Sequence, residues 1–334
     1  MKKIAITLAA ALMIAATGCG NSNSPVLTYV ARASSDDVPH LFTLNEATQQ
    51  STAVSIAIPS DADFVASNSD ATKVTYCRDA SSGWDIFLMG TDNVEKQLTT
   101  GADACESVFS PDGKTIAYVS GVSGDLQIWT MNVDGSSQAV LYAPPSGILD
   151  QFLPEFSADG KTLALYIDVF GGPSAHKRQQ KSSSPAWLTE HRAHKTQTRS
   201  AVAHNATAVS VSGWYTMPLS TGTPTLVTTP TTWWGPAVFS GDGTKLLFTD
   251  WDGTMYNVFS VKLDGSALTP LTTSTDTDNL SPVAYKDVIL FNRINNSTSS
   301  WDIYVMNQDG SGQTLVHTTA NTWETLLDSY WSND

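Results

Sequence analysis

Positive charge is scarce in this sequence. Its 334 residues include 18 Lys and Arg against 32 Asp and Glu, which gives a formal net charge of −14. Nucleic acid and anionic lipid surfaces would repel such a chain as a whole, so the composition argues against a nucleic-acid partner. Charged residues of both signs reach only 15% and apolar residues make up 41%, which is typical of a globular protein rather than a disordered one.

Long apolar runs are also scarce, and the most extended one covers residues 4–16, directly after Lys2 and Lys3. It is too short for a membrane-spanning helix, and small residues follow it, so we interpret residues 1–18 as a bacterial export signal. Residues 16–19 resemble a lipoprotein processing site, which implies lipidation of Cys19 and a tether over residues 19–25. Gly20 after the Cys then favours the outer membrane, with the protein facing the periplasm. Ordinary cleavage after Gly18, giving a soluble periplasmic protein, is the alternative.

A block of strand, turn and strand recurs along the rest of the chain. Its clearest copy, residues 106–118, has alternating apolar residues on both sides of Ser-Pro-Asp-Gly, where Pro presets φ and Gly tolerates a positive φ. A second strand–turn block follows at residues 126–135. Further copies of the first block lie at residues 65–76, 155–165, 238–248 and 283–291.

The spacing of these copies predicts the fold. If Ala66, Phe109, Phe156, Phe239 and Tyr285 are equivalent, the intervals are 43, 47, 83 and 46 residues. A period near 45 with four short strands per repeat is typical of β-propeller blades. The sequence therefore predicts an all-β, six-bladed β-propeller of four-stranded antiparallel blades over residues 26–334. Residues 328–334 match the start of a blade that residues 26–30 and 40–45 continue, so the C-terminal strand is expected to complete the N-terminal blade and close the ring.

The turn at residues 109–114 and the Trp-Asp-Ile strands at residues 84–89 and 301–306 resemble those of the TolB-like, WD-repeat-like β-propeller family. The likeness covers nearly everything after residue 25 and is specific for the fold. TolB itself has an α/β domain before its propeller and a peptidoglycan-associated lipoprotein as its partner. Here the propeller follows the tether directly, so we expect a stand-alone lipoprotein without that N-terminal domain. Relatives with a serine peptidase domain need a Gly-x-Ser-x-Gly motif, which this sequence lacks.

Cysteine is rare, and only Cys77 and Cys105 remain after the export signal and tether. In this topology Cys77 ends the second strand of one blade and Cys105 begins the first strand of the next. Both ends lie on the same face of the propeller, so the two residues could form a disulfide in an oxidising compartment. Two buried thiols are the alternative.

One face of the propeller carries the turns between second and third strands and the connections between blades; we call it the irregular-loop face. Aromatic and acidic residues gather there, a combination that suits carbohydrate or peptide ligands. Many of these Asp residues could instead be turn formers, and the repeated Trp-Asp pairs at 84–85 and 301–302 are interpreted as packing elements. The candidate ligand-binding residues are Trp233, Trp234, Trp251, Trp323, Asp250, Asp252, Asp276 and Asp278.

The 83-residue interval contains an insertion at about residues 171–212 in the fourth blade. It has one acidic residue, Glu190, and its excess of basic residues contrasts with the acidic remainder. A partner-capturing arm steered by charge is one interpretation, and a solvated insertion is the other. The candidate arm residues are Lys177, Arg178, Lys181, Arg192, Lys195 and Arg199.

No metal, cofactor or catalytic residue is predicted. Asp276, Asp278 and Asn279 look calcium-like but lack the Gly and terminal Glu of an EF-hand loop. We therefore expect a monomeric, non-catalytic binding or scaffold module of the envelope, which touches the membrane through its lipid anchor only. Its expected partner is an envelope protein or cell-wall glycan. The competing hypothesis is a carbohydrate-active lyase or hydrolase that uses carboxylates of the irregular-loop face.

Overall fold

The computed structural model describes residues 27–33, 39–45, 50–81, 83–121, 126–144, 149–169, 211–231, 233–285, 287–295, 300–318 and 322–326. The predictions for the export signal, for lipidation at Cys19, for the six basic arm residues and for residues 328–334 lie outside these ranges. Among the described residues, no helical segment has the length and apolar character needed to cross a bilayer.

The described residues are almost entirely β-strands joined by tight turns. In chain order, the strands are β1 Leu27–Ala33, β2 Pro39–Asn45, β3 Gln50–Ala53, β4 Asp63–Ser67, β5 Lys73–Ala80, β6 Gly83–Gly90, β7 Glu95–Gln97, β8 Ala104–Phe109, β9 Thr115–Ser120, β10 Gln127–Asn132, β11 Ala139–Tyr142, β12 Leu149–Phe156, β13 Thr162–Val169, β14 Gly213–Pro218, β15 Thr225–Thr228, β16 Trp233–Phe239, β17 Lys245–Trp251, β18 Tyr256–Lys262, β19 Thr269–Pro270, β20 Thr277–Tyr285, β21 Val288–Asn295, β22 Ser300–Asn307, β23 Thr314–Thr318 and β24 Thr322–Leu326.

These strands form four-stranded antiparallel sheets arranged as the blades of a β-propeller. Five sheets are continuous meanders, β4–β7, β8–β11, β12–β15, β16–β19 and β20–β23, which we number blades 2 to 6. A further sheet, here called the terminal sheet, has the order β24-β1-β2-β3. The first strands of successive blades contact one another, so they surround the propeller axis while the fourth strands lie outside. The predicted propeller of four-stranded blades is confirmed.

The Ser-x-Asp-Gly turns explain why the first two strands of a blade form a hairpin. The Ser110 hydroxyl donates to Asp112 Oδ1 at 2.6 Å and accepts the backbone N–H of Thr115, while Asp112 accepts the N–H of Lys114. Gly113 has a φ of 66°, a conformation that glycine adopts without strain. The same hydrogen bonds recur in the turns at residues 157–162 and 240–245.

These hydrogen bonds lower the pKa of the turn carboxylates. The Ser157 hydroxyl is the largest cause for Asp159, and the backbone N–H of Lys161 adds to it. Ser110 and Ser240 act in the same way on the pKa values of Asp112 and Asp242. A pKa that is lower in the folded than in the unfolded state stabilises the fold at pH values above the unfolded pKa. That contribution is lost as the pH falls through the folded pKa.

Asp159→Asn is therefore expected to lower the free energy of unfolding at about pH 7 and to lower it less at about pH 2, because the contribution of the charged carboxylate declines as the pH falls towards and through its folded-state pKa. Urea unfolding at the two pH values measures this difference. Ser157→Ala is the control, because removal of the hydroxyl should raise the pKa of Asp159 in an NMR titration. An equal loss of stability at both pH values would contradict the charge-based role.

Each first strand of blades 2 to 6 contains a β-bulge at the same place, where the register to the second strand shifts. The bulged residue has a positive φ between 47° and 68° in every case. A bulge of this kind bends the strand and increases its local twist. The bulges of blades 3 and 4 are also joined to each other, since the Glu106 carboxylate accepts the backbone N–H of Leu153 at 2.6 Å. The bulged residues are Phe64, Glu106, Leu153, Gly235 and Ser281.

The apolar core lies between neighbouring blades. Between blades 4 and 5, Trp214 is fully buried and meets Tyr166 edge to face with ring centroids 5.1 Å apart. Between blades 2 and 3, Cys77 on β5 and Cys105 on β8 are joined by a disulfide, with their Cα atoms 5.2 Å apart. Cys77 is completely buried in the apolar cluster shared by these two blades. The blades are thus held together by apolar side chains, by the disulfide and by side-chain hydrogen bonds such as the one from the Leu153 N–H to Glu106.

Candidate functional site: a polar cleft beside blades 5 and 6

A cavity of about 410 Å³ opens where the connection from blade 5 to blade 6 passes over β21 and β22. The connection, residues 271–276, lies on the irregular-loop face and brings Asp276 into the wall. The opposite wall comes from β21, β22 and the turn before β23. The side chains that line the cleft are those of Thr273, Ser274, Asp276, Thr277, Arg293, Asp302, Tyr304 and Gln313.

A buried amide holds the connection in place. Asn257, fully buried on β18, accepts hydrogen bonds at its Oδ1 from the Thr272 hydroxyl at 2.8 Å, from the Ser274 N–H at 3.1 Å and from the Asn279 amide at 3.0 Å. Its Nδ2 donates to Asp252 at 2.7 Å. A buried amide without hydrogen-bond partners lowers the stability of the fold. The bonds to Asn257 are therefore kept, and they fix the backbone that forms one wall of the cleft.

The four predicted acidic ligand residues divide into two groups. Asp250 accepts the backbone N–H groups of Thr231 and Trp251, and Asp278, which is buried, accepts that of Tyr256 at 3.1 Å. These carboxylates serve as loop anchors. Asp276 is exposed, accepts the Ser274 hydroxyl at 3.0 Å and is the member of the set that lines the cleft.

Asp252 also anchors a turn, the one between β17 and β18. Its Oδ1 accepts the backbone N–H groups of Thr254 at 2.8 Å and Met255 at 3.0 Å. Burial alone would raise the pKa of Asp252, but these two bonds and the one from Asn257 together hold it below its ordinary value. Asp252 is therefore a carboxylate whose oxygens are already used by the protein.

The predicted tryptophans lie at strand ends on the same face. Trp251 ends β17 and packs edge to face against Tyr256 at 5.2 Å. Trp233 and Trp234 begin β16, where Trp233 is paired in register with Asp250, and Trp323 lies in β24 opposite Arg32. The side chains of Trp233, Trp234 and Trp323 lie outside the described part of the structure, so their role in ligand contact stays a prediction.

Seven of the eight cleft residues were not among the sequence-based candidates, and four of these seven come from β21, β22 and the turn before β23: Arg293, Asp302, Tyr304 and Gln313. Asp302 was interpreted as a packing residue because it repeats Asp85. In blade 2, Asp85 is buried and accepts hydrogen bonds from Gln97, Thr99 and the N–H groups of the following loop.

Asp302 occupies the same register position in blade 6, yet it lines the cleft. The sequence does contain a difference that distinguishes blade 6. In blades 2 and 5 a threonine hydroxyl accepts a backbone N–H of the third strand and donates to a side chain there, Thr99 to Asp85 and Thr272 to Asn257. In blade 6 the equivalent position is His317.

The calcium-like segment is used for internal hydrogen bonding. Asn279 donates to Asn257 and accepts Arg293 Nε at 2.8 Å, so its amide oxygen faces a cation. In the described ranges, no group of three or more His, Cys, Asp and Glu residues is placed to hold a metal ion.

Comparisons with known proteins bear on the fold. No family model matches the chain. An uncharacterised protein of Agrobacterium fabrum is 40% identical over 147 residues, a match that spans 35% of this chain and 48% of that protein. TolB from Acinetobacter baumannii superposes with a TM-score of 0.61 at 17% identity, covering 90% of this chain and 65% of TolB.

Oligogalacturonate lyase from Vibrio parahaemolyticus superposes with a TM-score of 0.51 at 12% identity, covering 89% of this chain and 73% of the lyase. The chain thus spans about half to two thirds of the first relatives it matches. At these identities the structural likeness concerns the fold alone. The predicted resemblance is confirmed at that level, and the chain has the β-propeller fold of the TolB-like structures.

Proposed function

We propose that this protein is a non-catalytic binding or scaffold module of the bacterial cell envelope. It engages a protein partner or cell-wall glycan through the irregular-loop face. The observation that supports this most directly is the cleft of about 410 Å³, whose wall is held open by the Asn257 hydrogen bonds. Pockets of this size with a few oriented polar groups are where small ligands and side chains dock.

The scaffold in this proposal is a six-bladed ring in which the terminal sheet is the first blade. Antiparallel pairing of β1 with β24, from Tyr29 opposite Leu326 to Ala33 opposite Thr322, supports it. Contacts of β24 with β20 and β22 of blade 6 point the same way. In a ring closed by both ends of the chain each blade packs against two neighbours, which would hold the cleft rigidly.

The proposed location is the periplasmic side of the outer membrane, with a lipid at Cys19 as the only membrane contact. The export signal predicted for residues 1–18 and the tether predicted for residues 19–25 support it, and a soluble periplasmic protein is the alternative. The basic insertion begins after β13 and ends before β14, at the strand ends that belong to the irregular-loop face. Its six basic residues could capture an acidic partner, with the protein acting as a monomer.

Capture of a partner from detergent-solubilised envelopes tests this function. With the full-length protein as bait, Asp276→Asn is expected to reduce the recovered partner about fivefold or more, because a hydrogen bond to a charged group is removed from the cleft. Asp134→Asn is the matched control, since Asp134 is an exposed carboxylate in the turn between β10 and β11 of blade 3, whereas the cleft is lined by residues of blade 6 and of the connection that enters it. Equal recovery with all three baits would contradict the proposed face.

A carbohydrate-active lyase or hydrolase is the second candidate. Two carboxylates, Asp276 and Asp302, line one cavity, and paired carboxylates are the groups that glycoside chemistry uses. The solved lyase with this fold adds to the case. Release of soluble sugar from a polysaccharide, abolished by Asp302→Asn, would favour this candidate over a non-catalytic role.

A further inference from the structure

Two blades carry an arginine at the same structural position. Arg78 lies opposite Asp85 in the β5–β6 ladder, and Arg293 lies opposite Asp302 in the β21–β22 ladder. Each guanidinium stacks on an aromatic ring of the neighbouring strand, Arg78 at 4.5 Å from the Phe87 centroid and Arg293 at 4.3 Å from the Tyr304 centroid. The two sites can therefore be compared group by group.

In blade 2 the arginine is neutralised by the protein itself. Arg78 Nη2 donates to Glu95 at 2.6 Å, and Nη1 lies 3.6 Å from Asp61 in the connection that enters the blade. Glu95 also accepts the Tyr76 hydroxyl, so all these groups form one internal network. Arg78 is a structural residue whose charge is matched within the fold.

In blade 6 the neutralising acid is replaced by an amide. Gln313 stands at the register position of Glu95, two residues before the residue that pairs with the stacked aromatic ring. Arg293 Nη2 donates to Gln313 at 2.6 Å, and its Nε donates to the buried Asn279 at 2.8 Å. Within the described ranges, no carboxylate lies at ion-pair distance from Arg293.

These contacts hold the guanidinium rigidly through neutral hydrogen-bond partners. Asn279 is completely buried and is itself fixed by Asn257, and Phe291 and Tyr304 flank the guanidinium on its own sheet. Arg293 lines the cleft. A planar, preorganised guanidinium is the side chain best suited to a carboxylate, which it can bind through two parallel hydrogen bonds.

The same cleft holds charges of the opposite sign. Asp276 lies in the connection and Asp302 is the third residue of β22, and both line the cavity together with Arg293. The formal net charge of −14 would repel a purely anionic ligand, and the Arg293 guanidinium would repel a purely cationic one. A ligand that carries both charges and no net charge is repelled by neither.

We propose that the cleft binds a small zwitterion, a free amino acid or dipeptide with both its ammonium and its carboxylate unblocked. Arg293 receives the carboxylate, and Asp276 and Asp302 receive the ammonium. The volume of about 410 Å³ suits a ligand of this size. This inference rests on the proposed binding role of the irregular-loop face and names the ligand chemistry of its cleft.

Isothermal titration calorimetry on the full-length protein tests it, with the twenty amino acids and a set of alanine-containing dipeptides as probes. We expect at least one probe to bind below about 10 mM. Its N-acetylated and C-amidated forms should each bind about tenfold or more weakly, because each loses one charge. Arg293→Gln should lower affinity for the parent probe by about ten- to a hundredfold, and the exposed Asp276→Asn should lower it about tenfold.

Arg78→Gln is the matched control. It removes the same side chain from the equivalent position of blade 2, so it should lower the melting temperature and leave the affinity unchanged. Equal loss of affinity in Arg78→Gln and Arg293→Gln would overturn the proposal, as would equal binding of the blocked and unblocked probes. Asp276-dependent capture of an envelope partner without any response to the probes would overturn this inference alone and leave the proposed binding role standing.

Discussion

Trp214→Ala is expected to lower the free energy of unfolding by about 3–5 kcal/mol, the usual range for truncating a large buried aromatic side chain. Trp214 is 0% exposed on β14 and fills the space between blades 4 and 5, edge to face against Tyr166. Its removal leaves a cavity that two rigid sheets cannot close by collapse. Urea unfolding followed by circular dichroism measures the change.

Val94→Ala serves as the control for this prediction. Val94 is 65% exposed just before β7, so truncation should change stability by less than about 0.5 kcal/mol. A loss below about 1 kcal/mol for Trp214→Ala would show that blades 4 and 5 do not pack as described. Trp214 lies in the third strand of the blade that also carries the insertion. The expected loss of stability would therefore also show that this blade packs as tightly as its neighbours.

The strands and hairpins could be predicted because they depend on residues that are close together in the sequence of each repeat. The Ser-x-Asp-Gly turn closes through bonds among residues at most five apart, such as Ser110 with Thr115. The predicted continuation of the N-terminal blade at residues 26–30 and 40–45 corresponds to β1 Leu27–Ala33 and β2 Pro39–Asn45. The period near 45 residues then predicted four strands in each sheet, because a repeat of that length has room for four short strands.

The cleft could not be predicted from the sequence. Which of several similar acidic residues faces the cavity depends on hydrogen-bond partners that are distant in the sequence. Asp276 and Asp278 differ by two positions, yet Asp278 is buried against the backbone of Tyr256, 22 residues earlier, while Asp276 opens into the cavity. Nothing in the local sequence distinguishes them. The aromatic-rich pattern drew attention to tryptophans, whereas the cleft is lined by an arginine, two acids and neutral polar side chains.

Arg293 shows what a comparison of repeats can add. Its position matches Arg78, and the neutral Gln313 replaces Glu95. Arg293 and Gln313 lie 20 positions apart in the sequence, and the sequence alone does not give the register between their strands. Once the register is known, the missing acid becomes visible as a departure from the repeat, and departures are where a repeated scaffold acquires a site.

Reduction of the Cys77–Cys105 disulfide is expected to lower the free energy of unfolding by about 3–4 kcal/mol. The bond closes a loop with a sequence separation of 28 residues, and the chain-entropy model gives a cost of this size for releasing such a loop in the unfolded state. Urea unfolding with and without dithiothreitol measures the effect.

The double variant Cys77→Ala/Cys105→Ala is the control, because its stability should not respond to reductant. A thiol assay on the unreduced, denatured protein that detects both Cys77 and Cys105 would refute the prediction. The expected loss is large because the bond joins β5 of blade 2 to β8 of blade 3, and other contacts between these blades come from apolar side chains such as Ile86 and Phe109. Releasing the bond therefore weakens the junction between two blades as well as a single loop.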